Sequence, residues 1–231
     1  MIKKLVWMVA KRILYSFPSS YILMFHHIES EPKIKCSNCV LETEAFYKVI
    51  EHYEPQKYVA VEQLLRHPGK RKLAITFDDG LEDVYQIAYP YLKSKCIPFC
   101  IFVVTDFLDT PGYITTEQLV EMSRDPLVTI GSHGITHTTL TELSDAEAKR
   151  EITDSKKLLE DMLGQEVRLF SYSHGEFNKK ILRHARIYDY AVSVMPLPVN
   201  VLTRARRKIP RINIDAQTNL DDKFKKIDKI L

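Results

Sequence analysis

Short apolar runs alternate with segments of helical spacing along most of this chain, and that alternation constrains the fold more than any other feature. The runs stand at Tyr21–Phe25, Leu73–Phe77, Pro98–Thr105, Leu127–Ile130, Val167–Tyr172 and Tyr190–Val194. Between them, residues 43–53, 61–66, 81–95, 116–124 and 177–185 read as helices, with Pro90 expected to kink the third. Ser144-Asp145-Ala146-Glu147 is a capping box that opens a further helix, and Gly164 ends it. Repeated strand-helix units imply a parallel sheet or barrel, and a continuous apolar strand such as Pro98–Thr105 is one covered on both faces. Residues 29–42 read as polar and irregular. The segment Asn219–Leu231 reads as a mostly charged helix with Leu220, Phe224, Ile227 and Leu231 on one side, either docked or frayed.

With 231 residues, 45% of them hydrophobic, the chain can bury one substantial core, and a single main domain is expected over residues 19–216. Residues 1–18 and 217–231 form separate helical appendages in this reading. A net charge of +3 is too mild to argue for a nucleic-acid partner. Basic residues cluster at Arg204, Arg206, Arg207, Lys208 and Arg211. A solvated loop is the favoured reading, and a patch facing an anionic substrate or lipid is the alternative. The pairs Cys36/Cys39 and Cys96/Cys100 read as reduced thiols. The C-x-x-C pair alone supplies only half of a structural zinc site.

In residues 1–17, Ile2, Leu5, Val6, Val9, Ile13 and Phe17 share one helical face, with Lys3, Lys4 and Lys11 opposite. Trp7 and Leu14 lie among the lysines. This pattern fits peripheral contact with a membrane surface, and equally packing against the domain or another chain. The apolar run is too short for a span or a secretory core, so a cytoplasmic location is expected, peripheral at the inner face of the membrane if the helix binds there.

The run Leu73–Phe77 leads straight into Asp78-Asp79-Gly80, which places two carboxylates at the carboxyl end of a strand, where parallel α/β folds collect their chemistry. A simple turn is the plain alternative. A cation beside one carboxylate keeps both ionised and leaves the other free to take a proton. His133 and His137 lie four residues apart just beyond another strand. One helical turn there would aim both at one place. Imidazole suits zinc, iron, cobalt or nickel, and a carboxylate such as Asp79 would complete three protein ligands.

The order of these motifs resembles the polysaccharide deacetylase (NodB-homology) family, carbohydrate esterase family 4, over roughly residues 20–215. Thr76-Phe77-Asp78-Asp79-Gly80 is among the family's most specific marks. Ile130-Gly131-Ser132-His133 through His137 and Phe170-Ser171-Tyr172-Ser173-His174-Gly175-Glu176-Phe177-Asn178 resemble the second and third motifs. The resemblance implies a distorted (β/α) barrel that removes acetyl groups from N-acetylated sugars with one divalent metal, zinc first among the candidates. It implies Asp79, His133 and His137 as metal ligands, Asp78 as general base, and the backbone N–H of His174 as an oxyanion donor.

Departures from the family pattern shape the remaining expectations. Gly134 replaces the usual Ser or Thr between the histidines, and Ser173-His174 replaces Pro-Tyr. No late Leu-x-His appears, and His184 falls in a helix. Phe25-His26-His27-Ile28 resembles the first-strand element of one subgroup, which makes His26 the candidate acid and His27 a structural neighbour. Ser171 stands where an arginine usually orients the catalytic aspartate. Arg211 is the candidate replacement, because it precedes a short strand expected to return to the barrel, with a surface arginine beside Pro210 as the alternative. The expected function is N-deacetylation of an acetamido sugar, on a glycan or lipid-linked saccharide of surface-polysaccharide metabolism. A silent carbohydrate-binding barrel and a deformylase or amidase are the alternatives.

Overall fold

A computed structural model describes residues 13–29 and 39–231. The elements in chain order are β1 (Tyr21–Phe25), β2 (His27–Glu29), β3 (Val40–Glu42), α1 (Thr43–Glu51), α2 (Val61–Arg66), β4 (Leu73–Phe77) and α3 (Tyr89–Ser94). They continue as β5 (Phe99–Val103), α4 (Thr116–Ser123), β6 (Val128–Ser132), α5 (Asp145–Leu163), β7 (Leu169–Ser171), α6 (Lys179–His184), β8 (Tyr190–Val192), β9 (Ile212–Asn213) and α7 (Leu220–Asp228).

Seven strands form one parallel sheet in the order β8-β7-β6-β5-β4-β1-β9. The sheet curls into a distorted half-barrel, and one short segment joins its two edges. Ile209 bridges Val192 of β8 in parallel, and three residues later Ile212 pairs with Leu23 of β1. Alternation on the strands divides the core. Ile22, Ala74, Cys100, Phe102, Leu169 and Val192 pack together with Val61, Leu64 and Leu65, so α2 lies across the amino-terminal floor of the barrel. Leu23, Ile75, Phe77 and Ile101 face the other way, into the larger core beneath the helices. Gly131 is required where it stands, because a Cβ there would lie 2.5 Å from the Phe102 ring.

From residue 19 onward the expected strands and helices form, with instructive differences at their edges. Residues 29–42 are less irregular than expected, since β2 and β3 make a small parallel pair; residues 30–38 lie outside the described residues. The expected helix over 81–95 contains a π-turn, Val84–Ala88, directly before α3. Pro90 has no N–H to donate and its ring presses on the preceding turn, so widening that turn accommodates it without breaking the helix. The capping box of α5 forms, and Gly164 closes that helix at φ 66°. Helix α7 docks, burying Phe224 and Ile227. Arg211 does not belong to the basic loop before it, being fully buried. Cys96 and Cys100 are free thiols, while Cys36 lies outside the described residues. So does the greater part of the expected N-terminal helix, residues 1–12. Among the described residues no helix is long and apolar enough to cross a membrane.

Candidate active site

The carboxyl ends of β1, β4, β6 and β7 deliver the site. Asp78 continues the ladder of β4 by donating its N–H to the Phe25 carbonyl, so its side chain turns inward like that of Thr76 two residues earlier. Asp79 and Gly80 then take positive φ, 73° and 77°, which aspartate tolerates better than most residues. His133 likewise extends β6 through an N–H bond to the Val103 carbonyl.

His133 is buried, and its Nδ1 lies 2.8 Å from the Ser171 carbonyl. A carbonyl only accepts, so Nδ1 carries the proton and Nε2 presents a lone pair to the site. The His133–His137 segment is not the expected helical turn. It is a loop in which Gly134 and His137 have φ of 86° and 62°. The loop still brings the imidazoles together, with ring centroids 4.9 Å apart. Asp79 Oδ1 lies 3.5 Å from His133 Nε2 and 3.3 Å from His137 Nε2, and one ligand atom from each residue falls within 4.8 Å of the others.

This trio fits a divalent cation on two grounds. Asp79 Oδ1 is buried and has no hydrogen-bond partner, which is costly unless something positive meets it. Two imidazole nitrogens and a carboxylate oxygen are also a donor set suited to zinc and its neighbours. Burial first, and the neighbouring His133 second, pull the pKa of His137 down to about 4, so it is neutral at neutral pH, the form that ligates. Burial opposes the charge of His133, but Asp78 and Asp79 outweigh it and raise its pKa. For Asp79, burial is likewise outweighed by His133, and the pKa is lowered.

Asp78 is held differently. Arg211 grips it with both arms, Nη1 to Oδ1 at 2.6 Å and Nη2 to Oδ2 at 2.7 Å. The Ser171 hydroxyl donates to Oδ2 at 3.1 Å and accepts from Arg211 Nη2 at 2.8 Å. Arg211 also donates to Thr76 Oγ1 and to the Ser193 carbonyl, which ties it to β4 and to the chain just beyond β8. Burial alone would raise the Asp78 pKa, but Arg211 and His133 outweigh it and hold the carboxyl far below the usual range.

The other sequence candidates fall at varied distances from this cluster. His26, half-buried at the end of β1, has a buried Nδ1 without a hydrogen-bond partner, and its charge favours ionisation of both Asp78 and Asp79. His27 turns away from the cluster, its Nδ1 2.9 Å from Asp83 Oδ2, which also accepts from the Ile28 N–H. His174 is exposed beyond β7 with φ 56°, its ring 4.6 Å from that of His137. His184 is elsewhere, paired with Asp145 at the start of α5.

Sequence reasoning passed over Glu151. Its Oε2 accepts from the N–H groups of Ile135 and Thr136 at 2.7 and 3.1 Å, and its Oε1 accepts from the Thr136 hydroxyl. Glu151 therefore steadies the histidine loop that Gly134 leaves without a side-chain bond. A signal was present: Glu151 and Ser155 interrupt the buried stripe Ala148, Ile152, Leu159 of α5.

A curled parallel sheet with ionisable side chains gathered at its carboxyl edge defines an α/β barrel of the NodB type. The chain belongs to the polysaccharide deacetylase family, whose sequence profile matches residues 66–193. It is 32% identical over 182 residues to YxkH of Bacillus subtilis, a protein named for the same family. That match covers 77% of this chain, which spans 64% of the relative's length. Among solved structures, the Streptococcus pyogenes deacetylase PplD, in complex with acetate, superposes with a TM-score of 0.81 at 22% identity, covering 90% of this chain and 98% of that one. A Bacillus cereus polysaccharide deacetylase superposes with a TM-score of 0.79 at 20% identity, covering 90% and 69% respectively. At these identities the superpositions establish the shared fold.

Proposed function

We propose that this protein is a metal-dependent hydrolase that removes the N-acetyl group of an acetamido sugar. The observation that carries the reading is the convergence of Asp79, His133 and His137 beside an aspartate that Arg211 keeps ionised. The deacetylase name of the Bacillus subtilis relative, and the acetate in the Streptococcus pyogenes enzyme, support an acetyl group as the one released.

In this reading Asp79, His133 and His137 hold one divalent ion, zinc first, with cobalt, nickel or iron as substitutes. When bound, the ion acidifies a water and polarises the acyl carbonyl. Asp78 takes the proton of the attacking water as the new C–O bond forms. The backbone N–H of His174 supports the developing oxyanion. His26 gives its proton to the nitrogen as the C–N bond breaks, so acetate and a free amine leave. Work on surface polysaccharide precursors at the cytoplasmic face of a membrane is the setting we assign. Its support is the amphipathic sequence of residues 1–17.

Metal analysis of the wild type and His133→Ala, with acetate release measured on acetylated glycans and lipid-linked sugars, tests the assignment. One metal per chain in the wild type and little in the variant is expected. Equal metal content in both would overturn the ligand set. Metal without acetate release from any substrate would point to formyl or other amides, or to a binding barrel.

A further inference from the structure

The floor of the barrel, opposite the active site, exposes apolar side chains that the fold does not need. Ile13, Phe17, Val201 and Leu202 are 51%, 36%, 57% and 52% exposed. They belong to two segments clamped together. Ser20 and Val199 form an antiparallel bridge just ahead of β1. Next to it the fully buried Asn200 donates to the Leu14 carbonyl at 2.8 Å and to Ser19 Oγ at 3.0 Å. Asn200 Oδ1 in turn accepts from the Leu202 and Thr203 N–H groups at 2.9 and 3.2 Å. The turn is thus fixed in shape by Asn200 while its tip is Val-Leu, where turn chemistry favours polar residues.

The same face is cationic. Arg66, Arg204 and Arg206 line a cleft of about 360 Å³ with Leu65 and Tyr190. Arg206 lies over the Tyr190 ring, and among the described residues none of the three guanidiniums is paired with a carboxylate. Exposed Lys70 and Arg71 flank the turn where Gly69 packs on Pro18. The acids Glu62 and Glu166 sit around a separate cleft on the floor.

We propose that this floor docks on an anionic bilayer, with Ile13, Phe17, Val201 and Leu202 entering the interface and Arg66, Arg204 and Arg206 holding lipid phosphates. Charge complementarity argues for it, since guanidinium forks match phosphate and apolar tips ringed by cations match an anionic interface. The sequence preceding Ile13 has the same composition, with Ile2, Leu5, Val6, Trp7 and Val9 among Lys3, Lys4, Lys11 and Arg12. Docked this way, the barrel points its active site away from the lipid. Five-residue strands alone raise the rim by roughly 17 Å, so the group attacked is presented from the water side. The inference goes beyond deacetylation and does not depend on it.

Co-sedimentation of the full chain with vesicles of phosphatidylcholine, with and without phosphatidylglycerol, tests the proposal. Binding should require phosphatidylglycerol and weaken with salt. The triple variant Arg66→Gln, Arg204→Gln, Arg206→Gln should bind roughly a hundredfold more weakly, at about fivefold per cation. Val201→Ser with Leu202→Ser should lose roughly tenfold. Metal content and acetate release should stay at wild-type values in both variants, which separates this outcome from any failure of the proposed hydrolysis. Wild type that ignores phosphatidylglycerol would overturn the proposal. So would variants that bind like wild type, or loss of a protein dimer in the variants by sedimentation analysis.

Discussion

Asp78 has about four lone-pair positions, and Arg211 and Ser171 occupy three of them, which leaves one for a proton from water. Asp78→Asn keeps the shape but loses that acceptor and strips a buried arginine of its counter-charge. Hydrolysis per bound metal should fall by roughly 10²–10⁴-fold with metal content unchanged. Thermal unfolding should show a loss of about 3–5 kcal/mol, the usual result of breaking a buried ion pair from one side. Retention of full activity would remove Asp78 as the base. The Asp-Asp-Gly motif was legible because a strand run stops at it. Ser171 was read only as a missing arginine, since nothing in a sequence shows that its hydroxyl bridges Arg211 and Asp78.

The histidine loop and the β2 pair carry the lessons at the scale of elements. Four-residue spacing suggested a helical turn, yet Gly134 and His137 adopt left-handed backbone angles and the loop relies on Glu151 from α5. Spacing is shared by both geometries, so the anchor decides, and it lies 14 residues beyond His137. Glu151→Gln weakens two N–H bonds and should lower zinc affinity roughly 10–100-fold in a chelator competition, with little change in apo-protein stability. Unchanged affinity would show that the loop stands without it. On β2, the Asp83 hydrogen bond raises the pKa of His27 against the opposing effect of burial. A raised pKa in the folded state stabilises below the unfolded value near 6.5 and is lost as pH rises through the folded value. The unfolding free energy should therefore drop slightly from pH 6 to above the raised value, by less than about 1 kcal/mol for a ring only half-buried, and Asp83→Asn should flatten the profile.

For the whole molecule, alternation made the parallel strand-helix architecture readable, and the short strand expected after Arg211 does return to the sheet, but the bridge from Ile209 to the opposite edge was not legible. The segment 209–213 is short, contains Pro210 and has no periodicity to announce it. Docking of the last helix was also open in sequence. In the structure Phe224 stacks on His52 at 3.8 Å, and Tyr53 donates to Asp228. Phe224→Ala should cost roughly 3–5 kcal/mol in denaturant titration while leaving acetate release below the transition unchanged, because α7 touches none of the site. A fall in activity at full foldedness would contradict that separation.

The segment that joins the two sheet edges also carries Arg211, so closing the barrel and steadying Asp78 are one event. During synthesis, Asp78, Asp79, His133 and His137 all emerge well before residue 211. A chain cut before residue 211 would therefore lack both the bridge between the sheet edges and the guanidinium that meets Asp78, so shortening the chain there should cost fold and site together.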